Sequence, residues 1–321
     1  MNPSSNLFME LDKTELAEII GRNFDGDDDF HYELLSGGMF NTTYLITFRP
    51  GKKVVLRVGP INRHLLLPFE ENLMSAEAYV YTLCKTINIP VSNVIVCDST
   101  KAVIDRDYMI VDYIESVALA SLNVPEDVSK ELHEKVGFFA KQLHTVTNTQ
   151  FGRVSEVIQG KGCDKWSGCL KSEVEKFVLK VRNIDIYSEN DLQRIRDVFV
   201  KNASLFDEIK MPHLVHADLW AGNVLVSQND SEYSVAAIID ADRAVFGDVE
   251  FEFASEWMIN DAFLAGYGQS LSDEKDTVIR RKMYALIYNL NDSYICLAQY
   301  NNAQNSDNCR NTALQLLDEL S

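Results

Sequence analysis

The sequence predicts an α+β protein of two lobes. Residues 1–113 form an N-lobe with a five-stranded antiparallel sheet and a helix, and residues 114–321 form a mainly helical C-lobe that carries a hairpin. Three observations lead there. Short strand-like runs such as Lys53-Val-Val-Leu-Arg-Val58 and Tyr108-Met-Ile-Val-Asp112 mark the first third of the chain. From residue 125 the apolar residues switch to a helical period. Inside this helical region, the apolar runs Val224 to Val226 and Val235 to Ile239 flank the polar turn Gln228-Asn-Asp-Ser-Glu232 and make a hairpin.

The elements follow in order. Asp12, with Glu15 three residues on, caps a helix over 12–24 whose apolar face is Leu16, Ile19, Ile20 and Phe24. Leu34 to Thr47 reads as a strand, a tight Gly37-Gly38 turn and a second strand. The next strand, Lys53 to Val58, holds one cation within its apolar run, Arg57, which needs an anionic partner if it is buried. A helix over 71–87 has an apolar stripe of Ala76, Tyr79, Val80, Leu83 and Ile87, flanked by Glu77. Pro90 to Val96 and Tyr108 to Asp112 complete the sheet. Pro125 starts a helix with the stripe Leu132, Val136, Phe139, Ala140 and Leu143, followed by a buried structural His144. Gln150 to Asp164 holds two glycine-rich turns and reads as a mobile loop. A helix over 166–182 and one capped by Ser188 come next. Beyond Glu250 two long helices are expected, the last with a core face of Ile279, Met283, Leu286, Ile287 and Leu290.

At 321 residues and 46% hydrophobic content, the chain has the composition of a folded globular protein. No apolar run of about 18 residues is present, so no membrane-spanning helix is expected. The N-terminus lacks the basic start and apolar core of a signal peptide, and the expected compartment is the cytoplasm. The six cysteines are scattered without a CxxC pair, which reads as free thiols and argues against a zinc site. A net charge of −18 argues against nucleic acid as a partner and agrees with a cationic small molecule. Asp25-Gly-Asp-Asp-Asp29 fails as a calcium loop, because its twelfth position is Ser36 instead of Glu, and reads as a solvated turn.

The chemistry gathers on Leu214-Val-His-Ala-Asp-Leu-Trp-Ala-Gly-Asn-Val-Leu-Val226 and Ile239-Asp240. Hairpin pairing brings the start of one strand beside the end of the other, so Asn223 and Asp240 become neighbours with Asp218 close by. A carboxylate and an amide oxygen side by side suit a hard cation such as Mg2+. A second carboxylate beside the metal can orient a hydroxyl and take its proton.

In these segments the sequence resembles the aminoglycoside phosphotransferase family of small-molecule kinases. His216-Ala-Asp218, Asn223 and Ile239-Asp240 match its pattern His-x-Asp-x4-Asn followed by Ile-Asp, and Phe246-Gly-Asp248 matches its downstream Gly-Asp. The resemblance spans about Leu34 to Tyr267 and implies a protein-kinase-like fold. It implies an enzyme that moves the γ-phosphate of ATP or GTP to a hydroxyl of a small molecule. Asp218 would be the catalytic base, and Asn223 and Asp240 the magnesium ligands. Arg57, paired with Glu77 (Glu71 as the other candidate), would hold the α- and β-phosphates. Gly37 and Gly38 would cover them with backbone N–H groups, and Asp112 and Ile114 would offer backbone groups to the base. His216 and Asp248 would shape the loop. Trp220 either lines the acceptor pocket or packs; it stands where protein kinases carry Lys, which favours a small-molecule acceptor. Glu252 stands where the family usually has Asp. Asp248, Glu250, Glu252, Glu256 and Asp261 form either an anionic pocket for amino groups or an acidic helix start. The expected acceptor is an aminoglycoside or related antibiotic, which would make the chain a resistance enzyme. An endogenous sugar, amino alcohol or similar metabolite is the alternative, and a pseudokinase without turnover the reading from another class.

Overall fold

The computed structural model describes residues 5–24, 29–35, 38–49, 51–229 and 232–321. Asp12 accepts from the Thr14 and Glu15 N–H groups while Glu15 accepts from the Asp12 N–H, a capping box that starts α1 (Lys13–Asn23). Strands β1 (Phe30–Leu34), β2 (Thr42–Phe48), β3 (Lys53–Val58), β4 (Val94–Asp98) and β5 (Tyr108–Asp112) form one antiparallel sheet in the order β1-β2-β3-β5-β4. The α1 residues Leu16, Ile19 and Ile20 pack with Tyr44, Ile46, Leu56 and Ile110 on one face.

Helix α2 (Leu73–Thr86) covers the other face, but not with the expected stripe. Tyr79 is exposed and Leu83 half-buried, whereas Glu77 and Tyr81 are buried. The helix packs against the segment Ala241–Arg243 of the helical lobe, and that polar neighbour selects a face with polar members. The β1–β2 connection also differs from a tight glycine turn. Pairing ends at Leu34 opposite Tyr44, with Leu35 N–H bonded to Thr43 O, so seven residues join the strands. Gly37 lies outside the described residues, as do 25–28 of the acidic turn.

After β5 the chain crosses to β6 (Val117–Ala118), which pairs directly with the site hairpin β9 (Val224–Asn229) and β10 (Glu232–Ile238) through Val117 opposite Val226. In chain order between them lie α3 (Glu126–Leu143), β7 (Gly152–Arg153), α4 (Val154–Val157), α5 (Trp166–Val181), α6 (Glu189–Lys201), α7 (Ala203–Asp207) and β8 (His213–Val215). Residues 150–164 are not a bare loop. They contain β7 and α4, and Phe151 and Cys163 exchange both backbone bonds at 2.8 Å. Gly152 sits at φ +136°, a backbone conformation side-chain-bearing residues rarely adopt, and that conformation explains this glycine; a Cβ there would meet Cys169 and Val157 only at ordinary contact distance, 3.5 Å. Strand β11 (Val245–Gly247) joins β7 and β8 in a small sheet.

Three helices follow: α8 (Asp261–Tyr267), α9 (Lys275–Tyr294) and α10 (Ala303–Leu320). The stripe expected on the last helix belongs to α9, where Met283, Leu286, Ile287 and Leu290 are buried. Helices α3 and α8 meet at two glycines; a Cβ on Gly266 would stand 1.8 Å from Glu134 O, and one on Gly137 2.0 Å from Phe263 O. Among the described residues no helix is long and apolar enough to cross a membrane.

Residues 59–72, between β3 and α2, tie the two lobes together. Leu65 O accepts from Tyr294 OH and Gln299 Nε2, and His64 O accepts from Lys180 Nζ. Gln299 closes a π-helical turn, Ile295–Gln299, at the end of α9.

Candidate active site

The loop between β8 and β9 carries the first group of predicted residues. Ala217 sits at φ +62°, in the left-handed region that costs an L-residue roughly 1–2 kcal/mol. It is held from three sides. Glu252 accepts the N–H groups of His216 (2.8 Å) and Ala217 (3.3 Å), and Tyr288 OH donates to Ala217 O at 2.9 Å. His216 Nδ1 accepts from the Asp218 N–H, so its Nε2 carries the proton and donates to Ile239 O at 3.1 Å. His216 is therefore structural, linking the loop to the end of β10. Glu252 is fully buried. Burial favours its neutral form, but the hydrogen bond and charge of His144 and the His216 backbone N–H prevail and hold its pKa low.

The turn ends at Asn223, whose Nδ2 donates to Asp218 O at 2.8 Å and to Asp218 Oδ2 at 3.2 Å. The amide nitrogen is thus spent on the loop, and the oxygen is the atom that can serve a metal. Ile239 N–H donates to Asn223 O at 2.9 Å, which fixes the start of Asp240 against Asn223. Asp240 is also left-handed, at φ +58°. Its N–H points at Glu77 Oε1 and Tyr81 OH, both at 3.2 Å.

Arg57 joins the two lobes at this point. Its Nη1 donates to both oxygens of Glu77 at 2.6 Å and its Nη2 to Asp240 Oδ1 at 2.6 Å. The Glu77 side chain is 0% exposed and that of Arg57 12%. Burial alone would lower the Arg57 pKa, but Glu77 and Asp240 drive it well upward, so the guanidinium stays charged. Glu71, the other candidate for this pairing, makes no contact of this kind among the described residues.

Asp218 is half-buried at the mouth of this cluster. Burial pushes its pKa up to about 6, while Arg243 and the hydrogen bond from Asn223 pull it down. The motif pattern does not single out Arg243 or Asp242, which also belong to the site. The Arg243 guanidinium lies 3.9 Å from Glu70 and 4.0 Å from Asp292, and burial is outweighed by these carboxylates and Asp218. Asp242 is raised by burial and by the charges of Glu77 and Asp240. The signal in the sequence is Ile239-Asp-Ala-Asp-Arg243, three charges immediately after an apolar strand.

The remaining predicted residues are placed as follows. Asp112 ends β5 with its N–H bonded to Asn93 O, and Ile114 follows on the crossing segment, its carbonyl accepting from Ser116 Oγ. Gly38 stands beside Asn41 O at the start of β2. Asp248 is buried and accepts from Arg280 Nε at 2.8 Å and Tyr284 OH at 2.9 Å, so it pins the segment to α9. The acidic cluster is not one surface. Asp248, Glu250 and Glu252 are buried and turned inward, Glu250 as an ion pair with Arg281 at 3.2 Å, while Glu256 and Asp261 are exposed. Trp220 is 42% exposed and its ring lies over Gly222, where a Cβ would be 2.2 Å away.

Asn223 and Asp240 offer two oxygen ligands. Among the described residues no group of three or more His, Cys, Asp or Glu side chains forms a complete cage. That donor set fits Mg2+, which binds through one or two side chains and completes its shell with phosphate and water. It does not fit a closed zinc site.

The fructosamine kinase family model matches residues 13–307. No curated protein matches by sequence. Among solved structures, a thermostable mutant of the aminoglycoside phosphotransferase APH(4)-Ia, in complex with AMP-PNP and hygromycin B, superposes with a TM-score of 0.65. It shares 20% identity, over 95% of this chain and 98% of that one. A protein of Thermobifida fusca YX-ER1, provisionally assigned as a fructosamine-3-kinase, gives 0.63 at 17% identity over 94% and 98%. An APH(2″) enzyme with GDP and kanamycin gives 0.61 at 16% identity over 96% and 98%. These likenesses establish the two-lobed kinase-like fold that the sequence motifs led us to expect.

Proposed function

The chain belongs to the fructosamine kinase family of small-molecule O-phosphotransferases, and we propose that it moves the γ-phosphate of ATP or GTP to a hydroxyl of a sugar that carries an amine. The observation that carries this reading is the single hydrogen-bonded cluster in which Arg57 bridges Glu77 and Asp240 while Asn223 ties down Asp218. Asp218 receives the proton of the acceptor hydroxyl as its oxygen bonds to phosphorus and the bond to the nucleoside diphosphate breaks. A pKa of about 6 leaves it ionised at neutral pH yet basic enough to accept that proton. Arg57 keeps Glu77 and turns its other nitrogen from Asp240 to the α- and β-phosphates. Asn223 and Asp240 would hold Mg2+, which neutralises charge on the phosphates. Gly37 and Gly38 cover the phosphates, and Asp112 and Ile114 contact the base at the boundary between lobes, which we set at residue 113.

The family supports a glycated amine as acceptor. The hygromycin and kanamycin complexes of the structural neighbours support an aminoglycoside as the second reading, and the two share an amine-bearing sugar. A coupled assay with magnesium, ATP or GTP and a panel of fructosyl-lysine, ribosyl-lysine, aminoglycosides and amino alcohols distinguishes them. Turnover that needs a glycated amine supports the first reading. Turnover only with antibiotics selects the second, and nucleotide binding without turnover on any acceptor overturns both.

A further inference from the structure

Residues 5–11, ahead of α1, run across both lobes as a strap, and Asn6 is its hub. The Asn6 N–H donates to Gln299 O at 2.7 Å and its Nδ2 to Ala298 O at 2.9 Å. Its side chain also exchanges amide bonds with Asn301, at 3.1 and 2.9 Å. Ala298 and Gln299 belong to the π-helical turn that ends α9, and Asn301 follows it. On the other side, Asn6 O accepts from Asn62 Nδ2 at 2.7 Å and Leu7 O from the Ile61 N–H at 3.0 Å. Met9 O accepts from Thr42 Oγ1, at the start of β2, and from Arg106 Nη1. Leu7 and Leu11 are buried. One more bond reaches the connection between β1 and β2: Ser5 Oγ donates to Met39 O at 2.7 Å. Met39 follows Gly37-Gly38 directly.

The place where the strap meets the sheet gives it a function. Val58 lies opposite both Thr42 and Tyr108 at one end of β3, and Val54 lies opposite Asp112 at the other. The chain leaves for the helical lobe after Asp112, so the strap grips the sheet at the end away from that crossing. A crossing alone is a hinge, and a second attachment at the far end stops the sheet from swinging about it. The Asn6–Asn301 pair is exposed, and exposed bonds open and close readily, as a latch must. We propose that Asn6 is a positioning residue: with Asn301 it latches the sheet onto the helical lobe, and through Ser5 it sets the loop after Gly37-Gly38 for the nucleotide phosphates. The inference rests on the nucleotide-binding reading above. The latch raises the fraction of molecules whose lobes are already in place, and apparent affinity scales with that fraction.

Titration calorimetry of the full chain with Mg2+ and AMP-PNP or GMP-PNP, at a temperature where every variant is folded, tests this. Asn6→Ala should weaken nucleotide binding about tenfold, the loss expected when the competent fraction falls to about a tenth. Asn301→Gly keeps the left-handed backbone of that position (φ +49°), removes its amide and should do the same. Ser5→Ala should weaken binding less. Ser5→Ala with Asn6→Ala should bind no worse than Asn6→Ala, because both act through one strap. Hydrogen exchange of the Gly38–Thr42 amides should quicken in Asn6→Ala. Gly266→Ala, which destabilises the chain at the α3–α8 contact, is the control and should leave affinity unchanged. Wild-type affinity in Asn6→Ala and Asn301→Gly, additive losses in the double variant, or an equal loss in Gly266→Ala overturns the proposal while the nucleotide-binding reading stands. A wild-type chain that binds neither nucleotide overturns that reading and the latch with it.

Discussion

Replacing Asp218 by Asn should abolish turnover and make the protein more stable. In the folded chain the Asp218 pKa is about 6, against an ordinary value of 3.8, because burial disfavours its charged form. The folded state therefore holds the proton more tightly than the unfolded state. The stability this confers is complete below about pH 3.8 and is lost as the pH rises through about 6. A difference of about two units is worth about 3 kcal/mol, at 1.36 kcal/mol per unit. Asn carries no charge, so the variant escapes that loss, and its amide oxygen can still accept from Asn223 Nδ2. Arg243 loses a favourable neighbour, which trims the gain to about 2 kcal/mol. At about 2.1 cal/mol/K per residue, 321 residues give an unfolding entropy of about 0.7 kcal/mol/K, so the midpoint should rise by about 3 °C. Thermal unfolding of both proteins at pH 7.5 and at pH 4 reads this directly. The gain should be present at pH 7.5 and nearly vanish at pH 4, and wild-type kcat/KM should fall below about pH 6. A variant no more stable at pH 7.5, or equally stabilised at both values, would refute the burial argument. A variant that still turns over would refute the catalytic role.

Three further outcomes follow from the same geometry. Glu77→Ala strips a fully buried carboxylate from Arg57 and Tyr81 and should destabilise by about 3–5 kcal/mol; an unchanged urea midpoint would count against it. Glu252→Gln keeps the shape but replaces one accepting oxygen with an amide that cannot accept. It should lower kcat about tenfold or more while leaving nucleotide affinity unchanged, and a shift in nucleotide Kd alone would contradict the loop-holding role. Gly266→Ala puts a methyl group into the backbone of α3 and should cost about 3 kcal/mol or more, whereas a wild-type melting temperature would show that the two helices can separate.

The strands, the helices and the order of the site residues are legible because each rests on a local signal. The capping box at Asp12, the Ser188 cap and the Val224–Ile238 hairpin are written in a few adjacent residues. Buried polar side chains are not legible in this way, because apolar periodicity assigns them to solvent. The buried face of α2 includes Glu77 and Tyr81 because it meets a charged segment of the other lobe, and no count of apolar positions reveals that partner. The spacing of Glu77 and Tyr81, four residues apart on one helical face beside Ala76 and Val80, is the clue the sequence does hold. The glycines of 150–164 mislead for a related reason. Gly152 reads as freedom in isolation, but in the fold it holds one fixed positive-φ conformation inside the short strand β7.

The two carboxylates proposed to act in the reaction, Asp218 and Asp240, lie at strained backbone, and this explains where the supporting groups lie. Ala217, just before Asp218, and Asp240 are both left-handed without being glycine. Such conformations persist only where surrounding contacts enforce them. Each is enforced by a buried carboxylate that accepts its backbone N–H: Glu252 for Ala217, 35 residues away, and Glu77 for Asp240, 163 residues away. Glu77 and Glu252 thus play matching roles on either side of the site, one from each lobe. A motif records the groups that face the substrate, at short spacing. The groups that hold the backbone beneath them come from wherever the fold brings a carboxylate. Glu77 also carries Arg57, so α2 sets the Arg57 guanidinium and the Asp240 backbone with one side chain. A shift of α2 would then disturb Arg57 and Asp240, the proposed phosphate-binding and metal-binding groups, together.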